Sequence, residues 1–143
     1  MNMRIALAVL ALLLGCCAAS AAEPIPTPKA IFFARGSSSG TVGGQVLRGE
    51  RALYSLKAAK GQSLTVTLTT PDDNAVFQIY EPDTAIGRDA DGLLEFKGQP
   101  LEGAEGGRDT TRWQGRLPRT GTWLIVVGST RGNARYSMDV KVE

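Results

Sequence analysis

The sequence contains no histidine, and its two cysteines stand side by side near the N-terminus, at Cys16 and Cys17. Histidine is the usual general base near neutral pH and the commonest metal ligand. Since residues 18–143 also lack a thiol, most nucleophilic and zinc-dependent mechanisms are excluded there. We therefore predict that the protein is not an enzyme and needs no cofactor.

The sequence also lacks an apolar run long enough to span a membrane. Arg4 is followed by an apolar run over residues 5–14 and then by small residues. About ten apolar residues are too few for a bilayer but are typical of a signal peptide, here residues 1–21. "ASA" at 19–21 fits ordinary cleavage, whereas "LLGC" resembles a lipobox that would lipidate Cys16. The predicted location is periplasmic or secreted, or the outer membrane as an anchored lipoprotein.

Neither sign of charge is in clear excess. The 16 basic and 14 acidic residues give a formal net charge of +2. This balance predicts no nucleic-acid partner, and it predicts membrane contact only through a lipid anchor. Nothing in the sequence predicts the oligomeric state.

Beyond the leader, residues 22–29 carry three prolines and predict an extended tether. Residues 30–143 alternate apolar and polar side chains with a period of two, which predicts β-strands separated by turns. "ARYSMDVKVE", for example, places Tyr136, Met138, Val140 and Val142 on one face. The predicted strands are 30–34, 40–47, 51–58, 63–70, 75–81, 110–117, 122–128 and 134–143. This pattern predicts an all-β fold, an antiparallel β-sandwich of about eight strands.

Two segments depart from the simple alternation. "TWLIVVG" at 122–128 is apolar on both faces, which predicts a central strand covered on both sides. Residues 82–109 are rich in Gly, Asp, Glu and Pro and contain only "LLEF" as a strand-like island. A loop of that length is either functional or disordered.

Two short motifs resemble chemical sites. "GSSSG" at 36–40 matches a nucleophile elbow around Ser38, but that motif requires a following helix and a histidine, so we predict a loop. Asp89 and Asp91 in "RDADG" resemble half of a calcium loop without its distal glutamate. They are weak metal candidates, and a solvated turn is the simpler interpretation. Asp72 and Asp73 in "TPDDN" are predicted to form a turn.

The order of several segments carries a resemblance. "GTVGGQVLRGERALYSLKAAKGQSLTVTL", "NAVFQIYEP", "WQGRLPRTGTWLIVVG" and "ARYSMDVKV" follow one another as in β-sandwiches of the pre-peptidase C-terminal type. More narrowly, residues 31–143 resemble the bacterial periplasmic inhibitors of i-type and g-type lysozymes. The resemblance implies a protein that occludes the active-site cleft of a lysozyme.

In those inhibitors a Ser-Gly-x-Tyr corner is implicated in blocking the cleft. The resemblance places Thr120, Gly121 and Trp123 at that corner, and it matches Arg131 to an arginine after the next strand. For Trp123, as for Trp113, core packing is the simpler interpretation because apolar neighbours share its strand phase. The alternative function is an accessory sandwich that binds glycan or another envelope component, with or without calcium at Asp89 and Asp91.

Overall fold

The computed structural model describes residues 23–143, so the predicted signal peptide and the lipidation of Cys16 lie outside the described residues. This part of the chain forms ten β-strands and no helix. None of its segments is therefore a helix able to cross a membrane. The strands are β1 (Lys29–Ala30), β2 (Ser39–Val46), β3 (Arg51–Ala58), β4 (Ser63–Thr69), β5 (Ala75–Tyr80), β6 (Ala85–Arg88), β7 (Leu94–Lys97), β8 (Arg112–Arg116), β9 (Gly121–Ser129) and β10 (Ala134–Val142).

Two four-stranded sheets pack face to face, with strand orders β1-β3-β9-β5 and β2-β10-β4-β8. The predicted all-β sandwich is confirmed, with one correction to its antiparallel character: β1 pairs with β3 in parallel. The predicted strand at 30–34 is also mostly wrong. The hydrogen bonds to β3 end at Ile31, whose amide donates to the Ser55 carbonyl. The next side chain, Phe32, is 85% exposed.

The core between the sheets follows the predicted alternation. Leu64, Val66 and Leu68 on β4 are buried, as are the four predicted inward residues of β10. Leu56, Phe77 and other apolar residues of the first sheet meet them from the opposite side. Removal of these side chains from water is the main term that holds a domain without disulfides together.

The central strand β9 is covered on both sides, as predicted, because residues 123–128 are all buried. Its outer face, with Leu124 and Val126, is covered by a hairpin of β6 and β7. After this hairpin the chain runs along the free edge of β5, where the Ile79 amide donates to the Ala104 carbonyl at 3.1 Å. Residues 82–109 therefore form an ordered cover for one sheet and protect its edge.

The proline-rich segment before β1 is extended, but it is also held against the domain. The Arg88 guanidinium on β6 donates to the backbone carbonyls of Glu23, at 3.1 Å, and Pro24, at 3.0 Å. The Glu23 carboxylate lies 3.8 Å from the same guanidinium. The start of this segment, Glu23 and Pro24, is thus attached to the hairpin.

Candidate functional site

The corner that leads into β9, residues 117–122, lies at one end of the sandwich. Leu117 is buried there, and its carbonyl accepts a hydrogen bond from the Gly61 amide at 2.8 Å. The Leu117 amide in turn donates to the Gln62 carbonyl at 2.9 Å. The exposed Thr120 hydroxyl accepts from the Lys60 amide at 2.8 Å. The corner is therefore fixed to the turn between β3 and β4.

A second loop supports the corner from the other side. A Cβ atom added to Gly121 would lie 2.6 Å from Cγ of Pro82, so only glycine allows this close approach. Arg119 forms ion pairs with Glu81, at 3.5 Å, and with Asp83, at 3.1 Å. Contacts to two loops give the corner a defined shape before any partner binds.

Positive charge accompanies the Thr120 hydroxyl. Lys57 pairs with Thr122 across β3 and β9 and lines an open depression of about 390 Å³ together with Ala58 and Thr120. Neither Lys57 nor Lys60 has an ion-pair partner among residues 23–143. A depression lined by a hydroxyl and a lysine without an internal ion pair is suited to bind a carboxylate.

Trp123 lies beneath this corner, and its side chain has 0% exposed surface. The core interpretation of Trp123 is confirmed. The expectation that its ring contacts a partner is corrected, because an indole with no exposed surface cannot do so. Its Nε1 has no hydrogen-bond partner among residues 23–143. Trp113 is half-buried, and its Nε1 donates to the Glu102 carbonyl at 2.9 Å.

Arg131 lies at the opposite end of β9. Eight residue steps separate Gly121 from Ser129 along this strand, which is roughly 25 Å of extended chain. Thr120 and Arg131, two of the candidate partner-binding residues, therefore lie at opposite ends of this strand. The Arg131 guanidinium donates to the carbonyls of Asp72 and, at 3.3 Å, Asp73.

Two further arginines that the sequence analysis did not single out lie beside Arg131. Arg48 and Arg51 flank the β2–β3 turn, and with Arg131 and the turn at 129–132 they line an open cleft of about 500 Å³. We call this feature the arginine cleft. The only sequence signal for it was "RGER" at 48–51, about 80 residues before Arg131, and local periodicity does not relate such distant turns.

The remaining candidate residues lie in turns or directly before a strand. The Asp89 carboxylate accepts from the amides of Asp91 and Leu93, both at 2.9 Å, and so closes the β6–β7 hairpin. Within the described part of the chain no three potential metal-ligating side chains of the His, Cys, Asp or Glu type lie together. Ser38 leads into β2 rather than a helix. Asp72 and Asp73 lie in the predicted turn, where Asp73 has a φ of 50°.

No protein-family model matches the chain, and no curated protein matches it. Among solved structures, PliG from Aeromonas hydrophila, a periplasmic inhibitor of g-type lysozyme, aligns with a TM-score of 0.63 and 24% identity over 82% of this chain and 96% of that one. PliG from Salmonella Typhimurium aligns with a TM-score of 0.55 and 20% identity, over 82% of this chain and 100% of that one.

A mutant of the Escherichia coli inhibitor aligns over the same shares of both chains, with a TM-score of 0.54 and 19% identity. At these identities the likeness concerns the fold. The resemblance noted in the sequence is thereby confirmed at that level, and the chain shares its β-sandwich with the periplasmic inhibitors of g-type lysozyme over nearly their whole length.

Proposed function

We propose that the protein is an exported, non-enzymatic inhibitor that binds a lysozyme and occludes its active-site cleft. The observation that carries this proposal is the shared sandwich, which extends over 96% of the length of the Aeromonas hydrophila inhibitor. Because that protein and the Salmonella Typhimurium and Escherichia coli proteins are periplasmic inhibitors of g-type lysozyme, a g-type lysozyme is the first target to test. A periplasmic location agrees with the predicted signal peptide.

In this proposal the corner at 117–122 is the part that enters the cleft. The Thr120 hydroxyl accepts from the Lys60 amide and still has its own proton to donate to a carboxylate of the target. Lys57 and Lys60 add positive charge that complements an acidic cleft. Gly121 and the buried Trp123 hold the corner in shape, so little conformational entropy is lost when the target binds.

The proposal is tested by measuring the residual lytic activity of g-type, i-type and c-type lysozymes mixed with the protein at low salt. We expect one class, first of all the g-type, to lose its activity at a near-stoichiometric ratio. Full activity of all three classes would overturn the proposed function.

The contribution of the corner is tested with Thr120→Val, which keeps the shape of the side chain and removes its hydroxyl. Loss of a hydrogen bond to a charged group predicts inhibition weaker by roughly tenfold. Thr130→Val is the matched control, because this exposed threonine lies at the far end of β9. Equal inhibition by both variants would refute the role of the corner and leave inhibition itself standing.

The alternative, an accessory module that binds glycan with or without calcium, has less support. The features that motivated it are engaged within the fold. Trp123 is buried, the Trp113 indole is hydrogen-bonded, and the Asp89 carboxylate closes a turn.

A further inference from the structure

The arginine cleft concentrates positive charge that no carboxylate within residues 23–143 neutralises. Arg48, Arg51 and Arg131 all line it, and none of their guanidinium groups lies within 4.0 Å of an acidic side chain of this part of the chain. Asp72 and Asp73 contact Arg131 through their backbone carbonyls. The cleft therefore presents three positive charges in a chain whose formal net charge is +2.

Two of the three guanidinium groups are held in place. Arg131 is fixed by the carbonyls of residues 72 and 73. Arg51 donates to the Glu50 carbonyl at 2.9 Å and lies against Gly128, where an added Cβ would come within 3.1 Å of Cδ of Arg51. Since the remaining N–H donors of both groups make no internal hydrogen bond in the described chain, they are free to bind a ligand with little loss of side-chain entropy.

The two turns that form the cleft are also joined to each other. The buried Asn74 donates through Nδ2 to the carbonyls of Arg131, at 3.1 Å, and Asn133, at 3.0 Å. Oδ1 of Asn133 accepts from the Arg48 amide at 2.9 Å. Hydrogen bonds thus connect the core, the turn after β9 and the turn before β3, and they set the distance between the arginines.

We propose that the arginine cleft binds a phosphate ester. A phosphate monoester carries close to two negative charges and presents three terminal oxygens, whereas a carboxylate presents one charge and two oxygens. Guanidinium groups bind phosphate through paired N–H donors, which fits a cleft built of arginine rather than lysine. The cleft volume of about 500 Å³ exceeds that of a phosphate alone and leaves room for the group that carries it. This site is separate from the corner of the proposed inhibitor.

The test is a calorimetric titration of the full-length protein with glycerol 3-phosphate, with acetate as the carboxylate control. A second arm measures cosedimentation with phosphatidylcholine vesicles that contain or lack phosphatidic acid. These two arms distinguish a soluble phosphate ester from a lipid headgroup. The variants are Arg48→Gln and Arg51→Gln, and Arg35→Gln is the control, since this exposed arginine outside the cleft changes the net charge equally. Unfolding transitions of all variants verify the fold.

We expect binding in at least one arm, weakened roughly tenfold by each cleft substitution and unchanged by Arg35→Gln, because each lost charge-assisted pair is worth about one order of magnitude. Arg131→Lys, which keeps the charge and loses the planar fork, should weaken binding as well. No binding in either arm would overturn the proposal. Equal binding of acetate, or an equal loss in Arg35→Gln, would also overturn it.

Lysozyme inhibition is measured in parallel and is expected to be the same in Arg48→Gln as in the wild type. The two assays thus distinguish a failure of the phosphate-binding proposal from a failure of the proposed lysozyme inhibition.

Discussion

The two ends of β9 hold their positive charge in different ways. At the corner, Lys57 and Lys60 are exposed lysines, and the nearby backbone is held by the close approach of Pro82 to Gly121 and by the buried Trp123. At the arginine cleft, the guanidinium groups themselves are fixed by backbone carbonyls. Lysine acts as a mobile point charge, whereas a fixed guanidinium group presents paired N–H donors in a defined direction.

This difference shows why net charge was a poor guide to partners. A formal charge of +2 predicts little electrostatic steering when it is spread over the surface. The structure instead places free lysines at one end and free arginines at the other, roughly 25 Å apart along β9. The Debye length is about 8 Å at physiological ionic strength, so each end acts on a partner through its own local field.

The largest effect is expected from removing the buried side chain that lies beneath the corner. Trp123→Ala deletes the largest fully buried side chain and should lower the free energy of unfolding by about 3–5 kcal/mol. Denaturant unfolding measures this loss.

Trp123→Phe is the control for that substitution. It retains a ring, and the indole Nε1 that it removes has no hydrogen-bond partner to lose. We expect less than half of the loss seen with alanine. An unchanged unfolding free energy in Trp123→Ala would contradict the core role of this residue.

The strands were predictable because side-chain alternation is local to each of them. β4 and β10 could be assigned residue by residue, and the double covering of β9 followed from apolar residues on both of its faces. The hairpin over β9 was not predictable in the same way. "AIGR" and "LLEF" are short segments with little alternation, and they form β6 and most of β7 by packing Ile86, Leu94 and Phe96 onto a neighbouring sheet.

The candidate site was predicted less well than the fold. Thr120, Gly121 and Arg131 are close in sequence, but the predicted strand between them already implied their separation in space. The position of Arg51 beside Arg131 in the arginine cleft depends on the register of β3 against β9, where Arg51 lies opposite Gly128. Periodicity within one strand does not specify pairing between strands that are about 75 residues apart in the chain, because pairing depends on tertiary packing.

A smaller effect is expected from Asn74→Ala, which removes hydrogen bonds from the turn that carries Arg131. Removal of the amide breaks its hydrogen bonds to the carbonyls of Arg131 and Asn133, at a cost of about 1–3 kcal/mol. We expect weaker phosphate binding and unchanged lysozyme inhibition. The exposed Asn133→Ala, which loses one hydrogen bond to the Arg48 amide, should cost less in the same unfolding assay. If Asn74→Ala lost lysozyme inhibition and kept phosphate binding, the assignment of inhibition to the corner and of phosphate binding to the arginine cleft would be wrong.

The smallest expected effect concerns Tyr80, whose phenol senses the charge of Arg51. Burial raises the pKa of Tyr80 above its ordinary value of 10.0, and the positive charge of Arg51 partly offsets that rise by favouring the phenolate. Arg51→Gln removes this offset, so the pKa of Tyr80 should rise further. An NMR titration of the Tyr80 ring, assigned with Tyr80→Phe, measures the change.

Arg35→Gln removes one charge outside the arginine cleft and is the matched control for the change in net charge. A bound phosphate ester should shift the pKa of Tyr80 in the same direction as Arg51→Gln, because it neutralises the same guanidinium. Equal shifts in Arg51→Gln and Arg35→Gln would show that Tyr80 senses only the net charge, and Arg51 would then have no specific effect on its pKa.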